Sequence, residues 1–288
     1  MASSKTVLIT GCSDGGIGSS LAITFQRRGF RVFATARDPS KMQALNNLSN
    51  VTLLTLDVVK SDDIKSAVEA VSKQTGGTLD YFVSNAGRNH FMPILDENLN
   101  TTREPFEINF FAPIALTQAF SSLLIKAKGT AVYITSTSGH LNIPYMGTYA
   151  ASKMSLEIVA DTMRLEMAPF GVNVVEVVTG GVKSNGQTYF GDFKLPSQSN
   201  YKRIENTIAL RAQGKEGMER TDTFEYANAV VDDILNGAVG RIWHGHYADQ
   251  TRMSTTATQI PQSAMDSGAV INTGLDVVGA AVEETTKS

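Results

Sequence analysis

Short runs of β-branched and apolar residues alternate with amphipathic stretches through the first two-thirds of the chain. Residues 7–10, 31–35, 51–56, 81–84, 130–135 and 172–178 read as strands, several of them almost continuously apolar. That pattern belongs to strands covered on both faces. Between them, 17–28, 61–74, 104–126 and 149–170 carry apolar positions at helical spacing. Strands and helices in strict alternation predict an α/β fold: a Rossmann-type, doubly wound parallel sheet in three αβα layers. Ligands of such a sheet bind beyond the carboxyl ends of its strands.

After residue 178 the pattern loosens into polar, glycine-bearing sequence, with a helix predicted near 201–211, another over 221–235 and a short strand at 241–243. The expected organisation is one domain over 1–245, with a substrate flap at about 186–217, and an irregular C-terminal extension over 246–288. That extension is polar except for apolar patches at 269–271 and 275–282.

Composition narrows the functional classes. A net charge of −3 argues against nucleic acid as partner. The single cysteine, Cys12, fits a reducing compartment, and His90, His140, His244 and His246 are too scattered for a metal site. No signal peptide and no run long enough to span a bilayer are read from the sequence, so the expected address is the cytoplasm.

Two constellations carry chemistry. The first follows the opening strand: Thr10-Gly11-Cys12-Ser13-Asp14-Gly15-Gly16-Ile17-Gly18, then a helix. Glycines there permit a tight turn and let backbone amides approach a pyrophosphate at the helix N-terminus. The second strand ends Ala36-Arg37-Asp38-Pro39. Ala36 offers no carboxylate for the ribose hydroxyls of NAD, whereas the Arg37 guanidinium suits a 2′-phosphate, which favours NADPH. Asp38 is the rival, either an NAD-type acid or the N-cap of a helix starting at Pro39. Asp57 ends the third strand, as an adenine partner or a turn former.

The second constellation is Ser136, Tyr149 and Lys153. Tyr149 and Lys153 stand four residues apart on one helix face. A phenol titrates near about 10 and is slow as an acid at neutral pH; an ammonium one turn away, together with a positive nicotinamide ring, is expected to lower it. Ser136, at the end of the fifth strand, would hydrogen-bond a substrate oxygen.

In this order and spacing, the Thr-Gly-x₄-Gly-Ile-Gly turn, Asn85-Ala86-Gly87, Asn109, Ser136 and Tyr149-Ala150-Ala151-Ser152-Lys153 resemble the short-chain dehydrogenase/reductase superfamily over residues 5–185. Ala34-Thr35-Ala36-Arg37, the segment 124–130 and Val178-Thr179-Gly180-Gly181-Val182-Lys183 make the chain similar to the fungal and yeast 1-acyldihydroxyacetone-phosphate reductase-like branch, itself similar to 17β-hydroxysteroid dehydrogenases. The resemblance implies a catalytic tetrad of Asn109, Ser136, Tyr149 and Lys153, with Asn109 holding a water linked to Lys153. It implies that Gly11, Ser13, Gly16, Ile17, Gly18, Arg37, Asp57, Asn85, Ala86, Gly87, Val182 and Ser184 contact NADPH/NADP⁺, together with Tyr149 and Lys153. It also implies a homodimer or homotetramer built through helices such as 104–126 and 149–170.

Departures are a glycine turn one residue longer than usual, Thr179 in place of a common proline and Ser184 in place of threonine. The polar stretch 251–263 stands where that branch tends to be apolar, which weakens a lipid substrate. His90 and His140 follow the Asn-Ala-Gly turn and Ser136, so either a place at the substrate mouth or a plain loop role is open to each. Leu141, Ile143, Tyr145 and Met146 are expected to face a bulky, hydrophobic carbonyl compound of the polyketide, terpenoid, steroid or acyl-lipid kind. The leading expectation is ketone reduction to a secondary alcohol. An isomerase, an alcohol dehydrogenase or a non-catalytic cofactor-binding regulator remain alternatives.

Overall fold

The computed structural model describes residues 4–256 together with Pro261 and Ser263. Seven parallel strands form one sheet: β1 Thr6–Thr10, β2 Arg31–Ala36, β3 Val51–Thr55, β4 Tyr81–Ser84, β5 Thr130–Ile134, β6 Asn173–Thr179 and β7 Gly240–His244, in the order β3-β2-β1-β4-β5-β6-β7. Period-two alternation sorts their side chains into two cores. Val7, Ile9, Val32, Ala34, Val83 and Val132 face one way, and Leu8, Phe33, Phe82, Ala131 and Tyr133 face the other.

Helices α1 (Ile17–Arg27) and α7 (Thr223–Leu235) cover the first face through Leu21, Phe25, Val230 and Ile234. Helices α2 (Ser61–Thr75), α4 (Ala112–Ala127) and α5 (Gly147–Met167) cover the second through Ile64, Val71, Leu116, Phe120, Leu156 and Ala160. Helices on both faces explain why the strands read as continuous apolar runs.

The helix expected over 104–126 begins earlier. Helix α3 (Leu99–Phe106) starts at Asn98, whose side chain accepts from the Asn100 amide at 3.1 Å, and runs through Pro105 into a π-helical turn at Glu107–Phe111 before α4. Pro113 has no N–H to offer the Asn109 carbonyl, so the regular ladder lapses at Asn109. Leu99–Ala127 as a whole is long and apolar enough to cross a membrane, contrary to the sequence reading. Its apolarity is spent inward: Phe120 is fully buried and stacks on Phe82 with ring centroids 5.7 Å apart.

The flap region carries 3₁₀ turns at Asn185–Phe190 and Lys202–Ile204 and a helix α6 (Glu205–Ala212). Phe193, Leu195 and Ile208 pack there with Phe91, Tyr145 and Tyr201. Where an irregular extension was expected from residue 246, the chain pairs His246 with Gly181 through two backbone hydrogen bonds and enters helix α8 (Ala248–Thr255). The apolar patches at 269–271 and 275–282 lie outside the described residues.

Phe120→Ala should lower the unfolding free energy by roughly 3–5 kcal/mol, read from the midpoint of urea denaturation.

Candidate active site

One cleft opens at the carboxyl edge of the sheet, where the strand order reverses between β1 and β4. Gly11, Ser13, Gly16, Ile17, Arg37, Asp57, Asn85, Ala86, Gly87, Ser136, Tyr149, Lys153, Val182 and Ser184 all line it. Residues spread over more than half the sequence therefore meet at one place.

The two turns that floor the cleft are tied together. The Thr10 hydroxyl accepts the backbone amides of Asn85 at 3.0 Å and Ala86 at 2.9 Å, and Asn85 Nδ2 donates back to the Thr10 carbonyl at 2.7 Å. Gly11 has φ +74°, and a Cβ there would sit 2.9 Å from the Ala86 Cα, so only glycine allows both the turn and the approach. Gly18 does not line the cleft. A Cβ on it would lie 2.5 Å from both Asn85 Nδ2 and the Gly11 carbonyl oxygen, which makes it the close-packing glycine between α1 and the two turns. Gly11 and Gly18 thus hold the turn close to the start of α1, whose first residues Gly16 and Ile17 line the cleft, a place where a helix N-terminus suits a pyrophosphate.

Arg37 is exposed on the rim beyond β2. Asp38 is turned away from the cleft and caps the following turn, accepting from Ser40 N at 3.0 Å and Ser40 Oγ at 2.7 Å. That geometry realises the N-cap alternative and leaves no carboxylate at the tip of β2. Asp57 lies across from it, at the end of β3.

At the other end of the cleft, Ser136 caps a 3₁₀ turn (Thr137–His140) by accepting from the Ser138 amide at 3.2 Å. Burial raises the Tyr149 phenol above its ordinary range, and a hydrogen bond from Ser136 opposes that rise. Lys153 is not among the groups that move Tyr149, contrary to the expectation that its ammonium lowers the phenol. Its Nζ donates instead to the Ile134 carbonyl at 2.9 Å, and burial pushes it down to about 8 while the Glu157 carboxylate resists the fall.

Asn109 is fully buried behind the cleft rather than in it. Its Oδ1 accepts the Arg88 amide at 2.8 Å, and its Nδ2 donates to the Arg88 carbonyl at 2.9 Å and to Ser152 Oγ at 3.0 Å. It therefore joins the turn after β4 to the helix that carries Tyr149 and Lys153.

His90 and His140 do not line the cleft: each bonds a glutamate at 2.7 Å, Glu97 and Glu157 respectively. Ile143 and Met146 line it, while Tyr145 packs into the flap cluster. Sequence reasoning missed Arg88, Ile108, Asn185, Tyr189 and Arg220 as lining residues. Arg88 had a signal, since it follows the Asn-Ala-Gly turn. Arg220 and Tyr189 had none, because the flap has no motif. Asn185 latches the flap to the glycine turn through Nδ2 and the Asp14 carbonyl at 2.7 Å. Among the described residues no group of three metal-ligating side chains gathers.

Gly11→Ala should weaken binding of a nicotinamide dinucleotide at least about tenfold, measured by fluorescence titration, because the turn must open to admit the methyl group.

Comparison with known proteins agrees with this layout. Residues 5–194 match the short chain dehydrogenase family model. The chain is 46% identical over 244 residues to "Short-chain dehydrogenase PC-15" of Penicillium crustosum, covering 85% of this chain and 89% of that protein. It is 39% identical over 188 residues to the "NADPH-dependent 1-acyldihydroxyacetone phosphate reductase" of Schizosaccharomyces pombe, covering 65% and 63%. Among solved structures, a short-chain dehydrogenase from Streptomyces avermitilis superposes with a TM-score of 0.75 at 24% identity, over 98% of this chain and 99% of that one. The chain belongs to the short-chain dehydrogenase family and is an oxidoreductase.

Proposed function

We propose that this enzyme uses NADPH to reduce the ketone of a bulky hydrophobic substrate to a secondary alcohol. The observation that carries the reading is the meeting of Ser136, Tyr149 and Lys153 in the cleft whose other end is the glycine cradle. Bound there, the reduced nicotinamide would supply the hydride to the carbonyl carbon. Tyr149 Oη gives its proton to the carbonyl oxygen, and Ser136 Oγ hydrogen-bonds that oxygen as negative charge grows on it. The Lys153 ammonium, together with the positive nicotinamide ring left after hydride transfer, would favour the tyrosinate left behind. Asn109 keeps α5 and the turn after β4 in register, and it would hold a water linking Lys153 to solvent for proton return.

The preference for NADPH rests on Arg37 and on Asp38 being turned away from the cleft. A guanidinium on the rim would bind a 2′-phosphate, and the tip of β2 places no carboxylate beside it. The name of the fission yeast relative supports the same choice. Ile108, Ile143, Met146, Tyr189 and Met218 give the substrate end an apolar lining, and the flap cluster covers it and excludes water. Half-exposed Phe111 and Ile158, on the turn before α4 and on α5, suit a homodimer or homotetramer interface. A cytoplasmic enzyme taking its direction from the NADPH/NADP⁺ ratio completes the reading.

Purified protein mixed with NADPH and a panel of cyclic and long-chain ketones should consume the cofactor, and Tyr149→Phe should abolish that consumption. Cofactor binding with no turnover of any ketone would favour a regulator. Arg37→Ala should raise KM for NADPH about tenfold or more and leave that for NADH nearly unchanged; equal effects would defeat the cofactor choice.

Lys153 is charged below its pKa and neutral above it. Ketone reduction should therefore decline as pH rises through about 8, seen as an alkaline limb in the pH profile of kcat.

A further inference from the structure

One turn further along α5 from Lys153, on the same sheet-facing side of the helix but outside the cleft lining, lies an ionic cluster built on two buried glutamates that none of the proposed steps uses. Glu157 follows Lys153 by one helical turn and is fully buried, as is Glu176 on β6. His140 Nε2, at the end of the turn that starts at Ser136, is 2.7 Å from Glu157 Oε2. The Arg241 guanidinium on β7 completes the group: Nε lies 3.3 Å from Glu176 Oε2 and 3.8 Å from Glu157 Oε2, and Nη2 lies 2.7 Å from Asp161 Oδ2 on α5. The His140 ring packs against Trp243 of β7 with centroids 4.8 Å apart.

Two features separate this cluster from an ordinary surface network. It is buried, where breaking a charged pair is costly. It also grips both pieces of the proposed catalytic machinery, the Ser136 turn through His140 and the Lys153 helix through Glu157. We propose that Glu157, held by His140 and Arg241, is a positioning residue that clamps the Ser136 turn onto α5 and keeps Lys153 in its ammonium form.

The electrostatics agree. Facing Glu157 are His140 from the turn after β5, Asp161 from its own helix, Glu176 from β6 and Arg241 from β7. Burial first, then Asp161, pushes the Glu176 carboxyl up to about 9, while Arg241, which donates to it at 3.3 Å, opposes the rise. The Glu157 carboxylate then acts on Lys153 against its burial.

The catalytic meaning of this inference rests on the reductase reading, so its test includes measurements that need no substrate. In the full chain labelled with ¹⁵N-lysine, with the Lys153 resonance identified by its loss in Lys153→Met, Glu157→Gln should move the Lys153 midpoint to lower pH by about one unit. Glu157→Asp should restore most of that shift. An unchanged midpoint in folded Glu157→Gln would overturn the proposal. Should Glu157→Gln fail to fold, His140→Ala tests the clamp: amide hydrogen exchange across residues 136–141 should quicken about tenfold while α1 stays protected, and unchanged protection would sink it. With a ketone substrate, Glu157→Gln should shift the alkaline limb of kcat with the lysine and leave KM for NADPH within about twofold. A wild-type chain that turns over no ketone would defeat the reductase reading alone, because the midpoint and exchange shifts are still read.

Discussion

The join between β1 and β4 is the constraint on which the cleft depends. There the sheet reverses its winding, with β2 and β3 on one side and β5, β6 and β7 on the other, and the loops diverge to leave a crevice. Two loops alone would gape. The Thr10 hydroxyl closes them by taking two amides from the turn after β4, and Asn85 returns the favour with its side-chain amide. Because Thr10 is fully buried, these bonds form in a low dielectric and are costly to lose. The turns after β1 and β4, which together floor the cleft, are thereby held to each other by one side-chain exchange.

Much of this was legible in the sequence, for identifiable reasons. Strands covered on both faces must be apolar throughout, so β1, β2, β4 and β5 were found within about a residue at each end. The glycine turn was legible because its conformation excludes other residues: Gly11 with its positive φ and Gly18 with no room for a methyl group leave a trace that composition cannot mimic. Ser136, Tyr149 and Lys153 were legible because two of them share a helix face and the third ends the adjacent strand.

What stayed hidden depends on tertiary contacts. The helix expected from residue 104 was placed too late, because the Asn98 cap begins it earlier and the chain stays helical through Pro105. His140 was left between the substrate mouth and a loop because nothing local shows that Glu157, seventeen residues on, would claim it. The direction of the Tyr149 titration was misjudged for the same reason: helical spacing puts Lys153 on the right face, but burial and the Ile134 carbonyl decide what each group feels. The flap offers no periodic or glycine signature at Tyr189 or Arg220, so its contribution to the cleft emerges only when the chain folds back.

Helix α5 therefore carries Lys153 in the cleft and Glu157 one turn beyond it on the same face, and the tension between burial and charge there explains where Lys153 stands. Burying an ammonium favours its neutral form, which is why Lys153 falls to about 8. Left to burial alone, it would fall further and lose the charge that a neighbouring phenolate needs. A carboxylate on the cleft side would restore that charge but would also pair with the substrate end and repel an anionic cofactor. A carboxylate one turn further along the same face supports the ammonium without lining the cleft. Its own burial is tolerable because His140 and Arg241 bond it. The ionic cluster and the Lys153 end of the cleft are in this sense one electrostatic unit laid along one face of α5.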